Sequence, residues 1–252
     1  MDDTEDLDAL VRRVDPDRWL AARFVTDPAR RGELIALAAL NHELARVAET
    51  VRTPMMGEIR LAWWREGLEG LAAGDPPRAQ PVLKALQAAM AAGRIPLSLT
   101  QAMVDARHAD LEPAPFSDEA ALVGYIDRTA GALMAASAKA LDGRAEPAAI
   151  SGAARAWGWA GLLRAAPAWA ARGRSWKPAG WAEATEAEIA AHVAHRVQAS
   201  LNEARDELKA LPVAAFPAVA YATLSQPYLR RPELSELSKQ ARLLRAVLAG
   251  RI

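Results

Sequence analysis

The chain has 252 residues, 52% of them hydrophobic, which suits one large domain with a substantial core. Its 31 Lys+Arg balance 31 Asp+Glu, so nothing global attracts DNA, RNA or an anionic membrane, and no nucleic-acid partner is expected. Without cysteine, disulfides, thiolate catalysis, iron–sulfur clusters and cysteine-based zinc sites are excluded.

The chain opens Met1-Asp2-Asp3-Thr4-Glu5-Asp6, too acidic for a secretory signal or a basic transit peptide. Residues 1–14 are expected to be a loosely ordered acidic N-terminus on a single domain spanning 1–252. One device then recurs. Asp15-Pro16, Asp27-Pro28 and Thr53-Pro54 each place a side-chain acceptor at N-cap and proline at the first helical position, where its missing amide hydrogen costs nothing. Leu37, Leu40, Leu44, Val47 and Val51 draw one apolar stripe down the helix after Asp27. Ile59, Trp63 and Gly67 suggest the inner face of the next helix. Ser98 and Ser117 read as further N-caps, and linkers are expected near 74–77, 112–115, 143–147 and 172–180. The most apolar stretch, residues 153–171, is interrupted by Arg155, Arg164 and Pro167 and cannot span a bilayer. Thr185 and Glu188 form a capping box. About nine helices are expected, with no period-two alternation. A cytoplasmic protein follows, with peripheral contact at the inner membrane left open.

Few residues announce chemistry. His192 and His195 lie three apart, but a metal needs further ligands, and only His42 and His108 remain. Glu203, Asp206 and Glu207 share a helix face with Arg205 and Lys209, as on a solvated surface, and Glu66 and Glu69 read likewise. No HExxH, GxGxxG, GxSxG or P-loop pattern occurs. The block Met56-Gly57-Glu58-Ile59-Arg60-Leu61-Ala62-Trp63-Trp64-Arg65 is more informative. Its tryptophans are either core anchors or the wall of an apolar cavity whose mouth attracts anions through Arg60 and Arg65. Trp157, Trp159, Trp169, Trp176 and Trp181 crowd a region with Arg164, Arg172, Arg174 and Lys177. That region is read as core packing or an interaction surface, with a lipid headgroup or protein partner as the alternative occupant of a basic, aromatic rim.

Taken in order, these landmarks resemble the squalene/phytoene synthase family. The likeness is carried by Asp15-Pro16-Asp17-Arg18-Trp19, by Leu37-Ala38-Ala39-Leu40-Asn41 and by Pro54-Met55-Met56-Gly57-Glu58-Ile59-Arg60-Leu61 with Trp63-Trp64-Arg65. It continues through Tyr125 and Thr129-Ala130-Gly131, then Leu162-Leu163-Arg164 and Arg172-Gly173-Arg174, to Arg242-Leu243-Leu244-Arg245. The resemblance implies an all-α, single-domain, isoprenoid-synthase-like helical bundle around a central apolar cavity. Active members join two prenyl diphosphates head to head. Two aspartate-rich motifs on facing helices hold Mg²⁺, and Mg²⁺ holds the diphosphates.

The chain departs from that pattern at the metal motifs. The first should fall at Ala45-Arg46-Val47-Ala48-Glu49, where only Glu49 is acidic. The second falls at Ala165-Ala166-Pro167-Ala168-Trp169, and residues 152–182 contain no Asp or Glu. The resemblance is therefore to a metal-motif-deficient subgroup that includes a respiratory complex I assembly factor. It implies no catalytic residues, no cofactor and no metal, and a protein partner in respiratory-complex assembly or an isoprenoid or lipid ligand. The candidate cavity mouth comprises Arg46, Glu49, Arg60, Trp64, Arg65, Arg164 and Arg174, beside the degenerate positions Ala45, Ala165 and Trp169. The alternative is a working Mg²⁺-dependent prenyl transferase drawing its acids from Glu49, Asp105, Asp110 and Asp127.

Overall fold

The computed structural model describes residues 6–114, 116–231 and 233–252. Among them there are twelve α-helices and no strand. The helices are α1 Leu7–Val14, α2 Pro16–Ala22, α3 Pro28–Thr50, α4 Pro54–Ala73, α5 Pro81–Ala91 and α6 Leu97–Ala106. They continue with α7 Glu119–Ile126, α8 Ala132–Leu141, α9 Ser151–Ala170, α10 Glu186–Glu207, α11 Ser225–Arg230 and α12 Glu236–Ala249. This exceeds the nine expected because short helices meet at tight caps: Asp15 ends α1 and caps α2. The expectation of a loosely ordered 1–14 fails for residues 7–14. They form α1, whose Leu10 and Val11 are buried; residues 1–5 lie outside the described residues.

The capping logic holds where proline marks it. Asp15, Asp27 and Thr53 each accept an amide hydrogen bond from the first turn of their helix. Both halves of the Thr185–Glu188 box form. The two serines do not cap. α6 starts after Pro96 without a side-chain cap, and Asp118, one residue beyond Ser117, caps α7. Asp118 competes better because its carboxylate takes the Ala121 amide at 2.8 Å.

The α3 stripe is buried through Leu37, Leu40, Leu44 and Val47, each leucine worth about 1.5–3 kcal/mol. It packs with α1, α4, α5, α6 and α8 into one core. In α4 the expected face holds only at Gly67, which is buried against Leu83. Ile59 is 65% and Trp63 37% exposed, while Leu61, Trp64, Leu68 and Leu71 are buried. The leucine spacing offers the stronger stripe, and Gly57 lets Leu111 approach where a Cβ would stand 2.4 Å from it.

A second core joins α2, α8, α9 and α12 with the 3-10 turns of residues 213–224, and a third joins α7, α9 and α10 through the tryptophans. Trp157, Trp159, Trp169 and Trp176 are buried, so the tryptophan-rich region is core. The segment after α9 is tied down by Ser175 and Ala179 amides donating to Pro113 and Phe116 carbonyls. α9 lies unusually close to α10. A Cβ on Gly152 would sit 2.6 Å from the Ser200 carbonyl oxygen and 2.7 Å from the Ala204 nitrogen, backbone atoms that cannot swing aside. Glu207 secures this junction by accepting from the Gly152 amide and Ser151 hydroxyl, both at 2.7 Å. Residues 119–141 run as one helix interrupted by a π turn, Asp127–Gly131. No helix among the described residues is long and apolar enough to cross a membrane.

Candidate functional site

A cavity of about 320 Å³ opens between α3, α7, the π turn and α9. α3 contributes Asn41, Ala45, Ala48 and Glu49; α9 contributes Trp157, Gly158, Gly161, Leu162, Ala165, Ala168 and Trp169. The degenerate positions Ala45, Glu49, Ala165 and Trp169 thus line one space from opposite walls. Gly158 makes the α9 wall possible, since a Cβ there would meet Ile126 Cγ2 at 2.3 Å. The π turn widens the helix and presents Thr129 and Ala130 to the cavity, with the Thr129 hydroxyl donating back to the Tyr125 carbonyl at 2.7 Å.

Four arginines reach this space: Arg18, Arg107, Arg172 and Arg174. Among the described residues only two carboxylates do, Glu49 and Asp110. Arg107 Nη1 donates to Asp110 Oδ2 and to the Tyr125 hydroxyl, both at 3.0 Å, and Nη2 donates to Asn41 Oδ1 at 2.9 Å. Tyr125 passes the chain on, donating to Asp110 Oδ1 at 2.7 Å. Burial pushes the Tyr125 phenol well above its ordinary range and Asp110 adds to the rise, while Arg107 opposes it, so the hydroxyl stays a donor. Burial alone would lower Arg107, but Tyr125 and Asp110 outweigh it and hold the guanidinium above its usual value. Arg18 behaves alike, with Asp15 and Tyr221 overcoming its burial. At the rim, Arg172 pairs with Glu49.

Guanidinium capacity is left over. Arg107 Nε and Arg174 Nη1 are buried without a hydrogen-bond partner, and Arg174 forms no side-chain ion pair among the described residues. Four arginines lining one cavity suit an anion with several acceptor oxygens, which arginine grips without a metal.

Of the residues expected at the mouth, Glu49 and Arg174 line this cavity. Arg46, Arg60 and Trp64 instead line an outer groove between α3 and α4, where Arg46 pairs with Glu43 and Arg60 donates to the Thr50 hydroxyl. Arg65 is on the surface, paired with Asp105 and Glu69. Arg164 stacks 3.7 Å over the Tyr228 ring near Asp17. The α4 block and Arg164 thus belong to packing and surface, because the face of α4 is rotated from the one expected. Arg18 and Arg107 were missed. Arg18 lies inside the Asp15–Trp19 block, but nothing in its local sequence marks Arg107. His192 contacts Glu119 at 3.0 Å and the Trp181 ring, and among the described residues no group of three metal-ligating side chains includes it.

The acids available to a metal can be followed one by one. Glu49 is held by Arg172, Asp105 by Arg65, Asp110 by Arg107, and Asp127 by both nitrogens of an Arg155 fork at 2.9 Å. Asp105 and Asp127 lie outside the cavity lining. Among the described residues no three His, Asp or Glu side chains gather as a metal site. Mg²⁺ needs an octahedron of oxygens anchored by free carboxylates. These residues do not fit the magnesium cluster that the family resemblance implies.

The comparisons with known proteins agree with this architecture. A dehydrosqualene synthase crystallised with a ligand superimposes with a TM-score of 0.80 at 14% identity, covering 98% of this chain and 95% of that one, and so shares the fold. Proteins described as NADH dehydrogenase (ubiquinone) complex I, assembly factor 6, from Bos taurus and Homo sapiens, are each 25% identical over 241 residues, spanning 88% of this chain and 71% of theirs. The squalene/phytoene synthase profile matches residues 11–243, nearly the whole helical bundle, and the chain belongs to that family.

Proposed function

We propose that this chain is a catalytically silent member of its family that assists the assembly of respiratory complex I and needs no metal. The observation that carries the silence is the pairing of Glu49, Asp105, Asp110 and Asp127, each with its own arginine. Prenyl transfer starts by ionising an allylic diphosphate, and stabilising the departing charge is the dominant catalytic term. Carboxylates held singly by guanidinium are poorly placed to collect the cations that do this, and no three gather among the described residues. The assembly role is supported by the relatives described as complex I assembly factors, whose sequences align with 88% of this chain.

A second reading rests on Arg18, Arg107, Arg172 and Arg174 converging on one cavity: the cavity binds an isoprenoid or lipid anion directly. The two readings are compatible, since a bound lipid can stabilise an interacting conformation by mass action. Removing the chain from its source cell should lower the amount of assembled complex I on native gels, and re-supplying it should restore that amount. Unchanged assembly would remove the first reading. Incubation with farnesyl diphosphate and Mg²⁺ should give no condensed prenyl product; turnover would restore the prenyl transferase alternative.

A further inference from the structure

The helix α12 has two apolar faces. One carries Leu243 and Ala246 into the core. The other carries Leu237, Leu244 and Leu248, exposed by 78%, 48% and 79%. Spacings of seven and four place these leucines on a single outward stripe. Beside the stripe runs a groove lined by Arg205, Lys209, Arg242, Arg245 and Arg251, with no Asp or Glu side chain in its lining. Arg205 and Arg242 bond only neutral groups, Asn202 and Ser238. Arg245 and Arg251 have no side-chain partner among the described residues. Only Lys209 meets a carboxylate, Asp206. In a chain with no net charge this is a concentrated cationic site.

The other exposed apolar patch, Met55, Met56, Ile59 and Trp63 on α4, differs. Two of its arginines are matched by acids, Arg46 by Glu43 and Arg78 by Glu66, and only Arg60 bonds a neutral group, the Thr50 hydroxyl. Charge thus separates the two surfaces.

We propose that α12 and its basic groove dock this protein on an anionic phospholipid surface, with Leu237, Leu244 and Leu248 entering the headgroup–acyl boundary and the groove arginines holding lipid phosphates. An apolar stripe on a helix of low net hydrophobicity, flanked by unneutralised arginines, is the arrangement that lies in a bilayer interface. Each unpaired arginine adds attraction to an acidic leaflet. The inference stands independently of the cavity and of the assembly role, since neither uses these residues.

Vesicle co-sedimentation of the full chain tests it. Phosphatidylcholine vesicles containing phosphatidylglycerol should bind the protein and pure phosphatidylcholine vesicles should not, with binding falling as salt rises. Arg245→Ala with Arg251→Ala should weaken partitioning by about 25-fold, roughly five-fold per residue. Leu248→Ser should weaken it by about ten-fold. All three side chains are exposed, so circular dichroism should show unchanged helix. The absence of native cysteine allows a fluorophore at Leu248→Cys, which should shift to the blue on acidic vesicles, while one at Met55→Cys should not. Failure to bind acidic vesicles, equal binding to neutral ones, or a shift at residue 55 alone would overturn the proposal. So would a dimer that Leu248→Ser dissociates in the absence of lipid affinity, since the stripe would then belong to a second copy.

Discussion

Two arginine–carboxylate pairs at different depths define the cavity. At the inner end, Arg107 and Asp110 retain about a tenth of their side-chain exposure and share a closed network with Tyr125 and Asn41. At the rim, Arg172 and Glu49 retain 34% and 42% and hold only each other. The inner pair is desolvated and fixed in geometry, whereas the outer pair exchanges with water at little cost. In both, a guanidinium holds a carboxylate that lines the cavity. The difference is that the inner pair is structural, while the outer one can open to release Arg172.

Mutations should separate the two. Asp110→Ala should cost about 3 kcal/mol in urea denaturation, because Arg107 would keep a buried charge without its acceptor. Arg174→Ala should leave stability nearly unchanged yet weaken inorganic pyrophosphate binding about ten-fold, the worth of a charge-assisted hydrogen bond. Tyr125→Phe keeps the ring but removes one link of the network, and should cost about 1 kcal/mol in the same denaturation. Glu49→Gln should change stability by less than about 0.5 kcal/mol, and calorimetry should find pyrophosphate bound more tightly, because Arg172 is freed. A large stability loss in Glu49→Gln, or none in Asp110→Ala, would reverse the assignment of depth.

Local signals were legible in the sequence and long-range pairings were not. Asp15, Asp27 and Thr53 could be read as caps because each is followed by proline and the interaction spans three residues. The Leu37–Leu40–Leu44–Val47 stripe was clear because no second stripe competes on α3. On α4 two stripes do compete, and contacts with Leu111 and Leu83, remote in sequence, bury the one containing Leu61 and Leu68. The missing acids of residues 152–182 needed no structure. Their meaning did, because the Arg107–Asn41 and Arg172–Glu49 contacts join residues 66 and 123 positions apart. No periodicity encodes such a contact.

Calorimetric titration of the intact protein with a non-hydrolysable farnesyl diphosphate analogue, once in chelator and once in excess Mg²⁺, bears most directly on whether guanidinium has replaced metal in this cavity. Equal affinity in both solutions, reduced by Arg174→Ala, is the predicted result. Binding that appears only with Mg²⁺ would contradict it.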